Sequence, residues 1–167
     1  MNETAPEFGV AGAEAGTQAG ERPRREFLTC RLGAEPYGID ILRVQEIREF
    51  DVLTRVPHVA PYVRGVINLR GAIVPIVDLG LMFGFPDPID LKRASVIVLH
   101  AERRQLGLAV TSVSDVIALA DDEIVPAPDL GQRAIDAAVS GIATVDGTSV
   151  LLLDVGHLLE RIRGGAQ

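Results

Sequence analysis

The residue types that most often carry catalysis or bind metals are few in this sequence and far apart. The histidines, His58, His100 and His157, are not paired at the spacing of metal ligands, and the single cysteine, Cys30, has no histidine near it in the chain. The acidic run at residues 121–123 has few other ligands beside it, so a solvated turn explains it more simply than a metal cage. We therefore expect no catalytic residue, no metal site and no cofactor.

One enzymatic alternative stays open on the residues alone. His58 and Asp78 could act as acid and base in a small β-barrel enzyme, although no second catalytic partner accompanies them at a readable spacing. The segment from Gly80 to Gly84 is only superficially like a phosphate-binding loop, because it lacks the lysine and serine that such loops use. We interpret it as a short helix that stops at a glycine.

The composition is that of a globular protein that nucleic acid would repel. The chain has 167 residues, 47% of them hydrophobic, which is enough for one core or for two small cores packed together. Its formal net charge of −7 disfavours contact with a phosphate backbone. No apolar run approaches the roughly 20 residues of a membrane span, and the first residues lack the basic-then-apolar order of a secretory signal. We expect a cytoplasmic protein that does not insert into membranes.

The segments that would position any functional residue occur twice in the sequence, as an internal repeat. Residues 64–80 align without a gap on residues 140–156 at a constant offset of 76, and the glycines and the aspartate of the two segments coincide. Residues 38–47 align in the same way on residues 107–116 at an offset of 69. Such repetition implies two similar lobes related by an approximate two-fold axis.

Short strands dominate the predicted elements. Apolar and polar residues alternate from Phe27 to Leu32, and similar patterns recur in both repeats between turn residues. Many short strands with little helix predict a mainly β fold, because closed barrels remove the exposed edges that open sheets leave. The residues therefore favour two intertwined small β-barrels with short helices.

Three helices and one further strand complete the predicted elements. Asp40 is a plausible N-cap for a short helix that would carry Ile41, Val44 and Ile47 on its buried face. We predict that residues 52–56 return as a strand. Two aspartates at equivalent places in the repeats, Asp78 and Asp154, each begin a helix.

The two copies differ most at one hairpin. The first copy carries Asn68, Arg70 and Pro75 where the second carries Thr144, Asp146 and Leu151. Gly71 supplies the positive φ that a tight turn needs, and Pro75, which lacks an N–H, predicts an edge strand or a bulge.

The difference between the copies has two interpretations. It is either ordinary turn chemistry or a recognition surface with a cationic tip. In the second case Glu46, on the predicted short helix of the same copy, could form a charge-assisted hydrogen bond with Arg70. Such a pair would orient the surface more than it would stabilise the fold.

Three segments, residues 37–48, 64–79 and 113–116, closely resemble the bacterial chemotaxis coupling proteins, the CheW-like family. The Asn-Leu-Arg-Gly sequence at residues 68–71 is the most specific marker, and the resemblance extends from about residue 26 to residue 162. It implies two SH3-like five-stranded barrels around a shared hydrophobic core and no catalytic activity. It also implies an adaptor that joins the cytoplasmic tip of methyl-accepting receptors to the regulatory domain of the histidine kinase CheA.

The resemblance also implies a set of partner-binding residues. They are Val44, Glu46, Gly65, Asn68, Arg70 and Val116. Val44 and Val116 could instead be core residues, and Gly65 could matter for backbone geometry alone. A coupling protein of a chemosensory-like pathway that controls pili, surface motility or development is the alternative within the same fold.

The expected domain organisation is one domain with two tails. Residues 1–25 are rich in Ala, Gly, Glu and Arg and are predicted to form a disordered tail. Residues 26–162 form the CheW-like domain, with the first repeat at about 27–84 and the second at about 95–160. Residues 163–167 form a C-terminal tail.

Overall fold

The computed structural model describes residues 23–49, 52–127 and 138–165, with side chains to residue 162. Residues 1–22 and 166–167 of the two predicted tails therefore lie outside the described residues, whereas residues 163–165 continue the last helix. The first strand begins at Arg24, two residues before the predicted start of the domain. The side chains of both Arg24 and Arg25 make contacts within the barrel, because Arg24 pairs with Glu123 at 3.1 Å and Arg25 with Asp40 at 3.6 Å.

Strands make up most of the described residues. They are β1 Arg24–Leu32, β2 Glu35–Asp40, β3 Val44–Glu49, β4 Val63–Leu69, β5 Ala72–Asp78, β6 Ser95–Ala101, β7 Arg104–Val110, β8 Ser112–Ala120, β9 Ile124–Pro126, β10 Val139–Val145 and β11 Thr148–Leu153. Two α-helices, α1 Leu79–Met82 and α2 Val155–Gly165, follow β5 and β11. Two 3-10 turns, Ile41–Arg43 and Asp121–Glu123, follow β2 and β8.

The two repeats exchange strands, so each sheet contains both. The first sheet has the order β8-β1-β2-β11-β10-β9, and the second has the order β3-β6-β7-β5-β4. Two parallel pairings, of β2 with β11 and of β5 with β7, connect strands of different repeats, and the other pairings are antiparallel. The predicted fold of two intertwined SH3-like barrels is confirmed. The first sheet gains a sixth strand from the short β9, and Thr54 makes the equivalent single bridge to Val66 in the second.

Three apolar clusters fill the described part of the molecule. The first cluster lies in the first sheet and contains Phe27 and Val150. The second cluster lies in the second sheet and contains Ile67 and Val96. The third and largest cluster combines side chains of both repeats and of α2, among them Leu28, Cys30, Tyr37, Val77, Leu99, Leu108 and Leu158. A core built by both repeats makes the two barrels one folding unit, since neither can bury its share alone.

The helix predicted after Asp40 is wrong beyond its first turn. Asp40 does cap a turn, because its carboxylate accepts the N–H of Leu42 at 3.0 Å, but the turn ends at Arg43 and β3 follows. Side chains of β3 alternate between half-buried and exposed, and Ile47, expected in the core, is 48% exposed. The strand forms because β6 of the other repeat offers an antiparallel partner, which overrides the weak local preference for helix.

Two further predictions about the first repeat need correction. Residues 52–56 form no strand apart from the bridge at Thr54, and Val52 is 81% exposed. Pro75 lies on β5, which is an interior strand between β4 and β7, and the irregular register of the hairpin falls between Val63 and Gly65 instead. Pairing of β5 with β7 begins only at Ile76, so the missing N–H of Pro75 interrupts no bond of that ladder.

Candidate interaction surface

The tip of the β4–β5 hairpin is a tight turn with two left-handed residues. Arg70 and Gly71 have φ angles of 51° and 92°, the combination of a type I′ turn, which follows the twist of the flanking strands. Arg70 therefore adopts a backbone conformation that L-residues rarely take. From the sequence, a positive φ was expected at Gly71 only. The side-chain oxygen of Asn68 accepts the N–H of Gly71 at 2.9 Å. Asn68 thus holds the turn in shape from an exposed position.

Glu46 and Arg70 form the ion pair that the sequence suggested. A guanidinium nitrogen of Arg70 donates to Oε1 of Glu46, and Arg48 Nη1 donates to Oε2 at 3.1 Å. The hydrogen bond from Arg70, followed by that from Arg48, lowers the pKa of the Glu46 carboxyl below its ordinary value of 4.5. The prediction of the contact is confirmed, although Glu46 lies on β3 and not on a helix.

The ion pair connects the two ends of the second sheet. Glu46 belongs to β3, and Arg70 follows β4, and these strands are first and last in the order of that sheet. The side chain of Arg70 is 64% exposed, so its charge remains available at the surface. Glu46, Asn68 and Arg70 therefore form one outward-facing surface with a defined geometry, which we call the hairpin surface.

Gly65 supports the hairpin surface through its backbone. Its φ angle is 152°, and an added Cβ would lie 2.5 Å from the carbonyl oxygen of Thr54 and 2.8 Å from Cγ of Leu53. Thr54 forms both hydrogen bonds of its bridge with Val66, at 2.8 and 2.9 Å. The absence of a side chain at Gly65 lets residues 53–54 cross close to β4.

The two valines of the predicted site lie apart from each other. Val44 is half-buried and packs against the shared core, opposite Leu99. Val116 lies on β8 in the other sheet, opposite Leu28, and is 46% exposed. The core alternative therefore fits Val44, whereas Val116 presents an apolar side chain to solvent on the first sheet.

The structure reveals exposed apolar residues that our site prediction lacked. Ile47 and Val56, on the side of the second sheet, are 48% and 37% exposed, and Val125 on β9 of the first sheet is 60% exposed. The offset of 69 that relates the repeats pairs Ile47 with Val116 and Val56 with Val125. The sequence could have indicated these residues, because the same positions are apolar in both repeats. An ordinary surface position has no physical reason to be apolar in both copies.

Asp78 is a structural carboxylate and not half of an acid–base pair. It is fully buried, and it accepts hydrogen bonds from Arg64 Nη1 at 3.0 Å, from the N–H of Ile89 at 2.8 Å and from the N–H of Leu81 at 3.0 Å. His58 is exposed in a loop. The pairing that the enzymatic alternative needs is therefore not formed by these two side chains.

Other groups capable of chemistry are equally isolated in the part of the chain that the structure describes. No three His, Cys, Asp or Glu side chains there come together in a way that could hold a metal ion. Cys30 is buried, and the loss of solvation raises the pKa of its thiol to about 12. Among the same residues, none of the helices has the length and apolar character needed to span a bilayer.

The chain is similar to known chemotaxis proteins. The model of the CheW-like domain matches residues 26–163. The chemotaxis protein CheW of Klebsiella aerogenes is 40% identical over 141 residues, which cover 84% of this chain and 85% of that protein. The CheW of Rhizobium meliloti is 34% identical over 131 residues, with coverage of 78% and 84%. The crystal structure of the scaffolding protein TtCheW from Thermoanaerobacter tengcongensis matches with a TM-score of 0.73 at 30% identity, over 79% of this chain and 90% of that one.

Proposed function

Since the chain belongs to the CheW-like family, as the match over residues 26–163 and the 40% identical relative show, we propose that it couples chemoreceptors to a histidine kinase. As a CheW-like scaffold protein of chemotaxis, it would join the cytoplasmic tip of methyl-accepting receptors to the regulatory domain of CheA. It would act without catalysis of its own, in the cytoplasm, where it is recruited to receptor arrays.

The observation that carries the proposal is the hairpin surface. An adaptor needs exposed groups held in a fixed geometry, because ordering them at the moment of binding costs free energy. Arg70 is exposed but held by Glu46, and Asn68 fixes the turn beneath it. The equivalent hairpin of the second repeat carries Asp146 at the same left-handed position, so its charge is opposite. The two equivalent hairpins of this pseudo-symmetric molecule therefore carry opposite charges, which suits an adaptor with two different partners.

The paired apolar positions support contacts with another double barrel. Ile47 and Val116 are equivalent in the two repeats, and so are Val56 and Val125, and all four are at least partly exposed. The regulatory domain of CheA is itself a double barrel of this family, so it would present similar apolar positions. We expect this contact to be mainly apolar. Binding measured by calorimetry should therefore survive ~0.5 M salt, where the Debye length is only about 4–5 Å.

A reconstituted complex tests the proposal directly. The full chain, a CheA regulatory domain and a soluble receptor tip are mixed, and capture of the kinase domain by the receptor is measured with and without the chain. Coupling requires that capture depend on the chain. If neither partner binds the chain, alone or together, the proposed role is wrong.

Matched hairpin variants test which surface matters. Arg70→Ala should abolish receptor-stimulated kinase activity, and the control Asp146→Ala, at the same turn position of the other repeat, should not. The double reversal of Glu46→Arg with Arg70→Glu should recover part of the activity that either reversal alone removes, because the pair is restored with opposite polarity. Full activity of Arg70→Ala would exclude this residue from the coupling surface.

A further inference from the structure

A basic patch with an exposed leucine lies where the N-terminal segment joins the fold. It consists of Arg43 in the 3-10 turn after β2, Arg103 in the β6–β7 turn and Arg104 at the start of β7, together with Leu42. In the part of the chain that the structure describes, none of the three arginines is in an ion pair, and the side chain of Leu42 is 78% exposed. Glu102 is the acidic residue of the same turn and leaves the patch with a net charge of +2.

The register of the second sheet brings these residues together. Val44 of β3 lies opposite Leu99 of β6, so the turn before β3 runs beside the residues that lead into the β6–β7 turn. Glu102 and Arg103 adopt left-handed φ angles of 50° and 72° in that turn. The two-residue turn, closed by the Ala101–Arg104 pair, therefore lies at the end of β6 that runs beside the turn containing Arg43.

An unpaired basic patch is unusual in a chain with a net charge of −7. An exposed leucine at its edge adds an apolar anchor to the charge. The chemistry that fits this patch is an acidic segment with a large apolar side chain.

The segment that precedes the described residues has this composition. Residues 1–22 carry four glutamates against one arginine, and apart from Met1 their large apolar side chains are Phe8, directly after Glu7, and Val10. We propose that the segment Glu7–Val10 docks on the patch, with its carboxylate on the arginines and its apolar side chains over Leu42.

The attachment point of the segment makes the docking sterically simple. Arg25, at the start of β1, contacts the Asp40 carboxylate at 3.6 Å, and Asp40 caps the turn that contains Leu42 and Arg43. One 3-10 turn covers about 6 Å, so the patch begins within about 10 Å of the attachment point. Thirteen residues lie between Val10 and Arg24, and a chain of that length can reach well beyond 10 Å, at up to ~3.3 Å per residue. The tether therefore places the segment at a high local concentration over the patch.

Paramagnetic NMR on the full chain tests the docking. The substitution Ala11→Cys introduces a site for a nitroxide label, and Cys30 will not compete because it is buried with a thiol pKa of about 12. The label should broaden the amide signals of residues 41–43 and 101–104 most strongly. Broadening confined to residues 24–28, directly after the segment, with none at residues 41–43 and 101–104, would overturn the proposal.

Variants on both sides of the contact separate docking from proximity. Arg43→Glu with Arg103→Glu should remove the broadening. The control Arg93→Glu, beside a cleft lined by Leu32 and Gly33 at the far end of β1, should leave it unchanged. The tail variant Glu7→Lys with Phe8→Ser leaves the described fold untouched and should also remove the broadening. Broadening that persists in both the patch and the tail variants would refute docking.

A mixed sample distinguishes the chain's own segment from another occupant. Isotope-labelled protein without nitroxide is combined with unlabelled protein that carries it. We expect no broadening in this sample, since the contact is within one chain. Equal broadening in the mixed and the single samples would show that a second copy occupies the patch, and the proposal would then be wrong.

Discussion

Removing the side chain of Arg64 should destabilise the fold, because Arg64 neutralises a buried carboxylate. Asp78 is fully buried, and Arg64 Nη1 contacts its Oδ2 at 3.0 Å while also donating to the carbonyl of Ile89 at 3.0 Å. Arg64 thereby connects β4, the end of β5 and the segment between the repeats. In Arg64→Ala the carboxylate keeps two backbone donors, from Leu81 and Ile89, but loses its countercharge.

The size of the effect follows from burial. Loss of one partner of a buried ion pair costs about 3–5 kcal/mol, because the other charge is left without compensation. The side chain of Arg64 is 25% exposed, so water can partly replace it, and the two backbone donors remain. We therefore expect a loss of about 2–3 kcal/mol in the free energy of unfolding. For a chain of this size that corresponds to a fall in Tm of roughly 4–12 °C.

Arg70→Ala provides the comparison, because its arginine also pairs with a carboxylate but is 64% exposed. Thermal and denaturant unfolding of both variants, beside receptor-stimulated kinase activity, would measure the two roles. We expect Arg64→Ala to melt early, and Arg70→Ala to melt within about 2 °C of the unmodified chain but to lose coupling. Early melting of Arg70→Ala would make Arg70 a structural residue. An Arg64→Ala protein of unchanged stability would refute the account of Asp78.

Three further outcomes follow from the same structure. Since Arg70 lowers the pKa of Glu46, the contribution of this pair to stability is present above pH 4.5 and is lost as the pH falls through the lowered value. Side-chain carboxyl NMR should show that the pKa of Glu46 rises in Arg70→Ala. An unchanged pKa would contradict the hydrogen bond. Cys30, with a thiol pKa of about 12, should resist alkylation at pH 8 in the folded protein and react on unfolding, and rapid native labelling would show that the shared core opens. Gly65→Ala should cost about 1–3 kcal/mol in denaturant unfolding, because its Cβ would meet the Thr54 carbonyl at 2.5 Å, and a neutral result would mean that residues 53–54 move away freely.

Most of the correct predictions came from local patterns in the sequence. The repeat showed two similar lobes, the alternation of residues showed the strands, and the Arg70-Gly71 and Asp146-Gly147 pairs marked both hairpins. Asp78 was correctly predicted to cap a helix, since its carboxylate accepts the N–H of Leu81. Each of these features depends on residues a few positions apart, so their physical causes are present in the sequence itself.

The candidate site was only partly predictable. Glu46 and Arg70 were proposed as partners from their charges and their places in one repeat, and the contact is formed. Their role in coupling stays a prediction, as do those of Val44, Gly65, Asn68 and Val116. Glu46 was assigned to a helix because the segment after Asp40 has apolar residues at helical spacing as well as strand-like alternation, and nothing local decides between the two.

Tertiary structure alone decided the features that depend on distant partners. Whether residues 44–49 form a strand depends on β6, which lies some fifty positions later and in the other repeat. The exchange of strands between the sheets, the interior place of β5 around Pro75, and the burial of Asp78 against Arg64 and Ile89 arise in the same way. Their physical reason is that strand pairing and burial are properties of the assembled core. A sequence states its local preferences, and the competition among possible partners is resolved only when the whole chain packs.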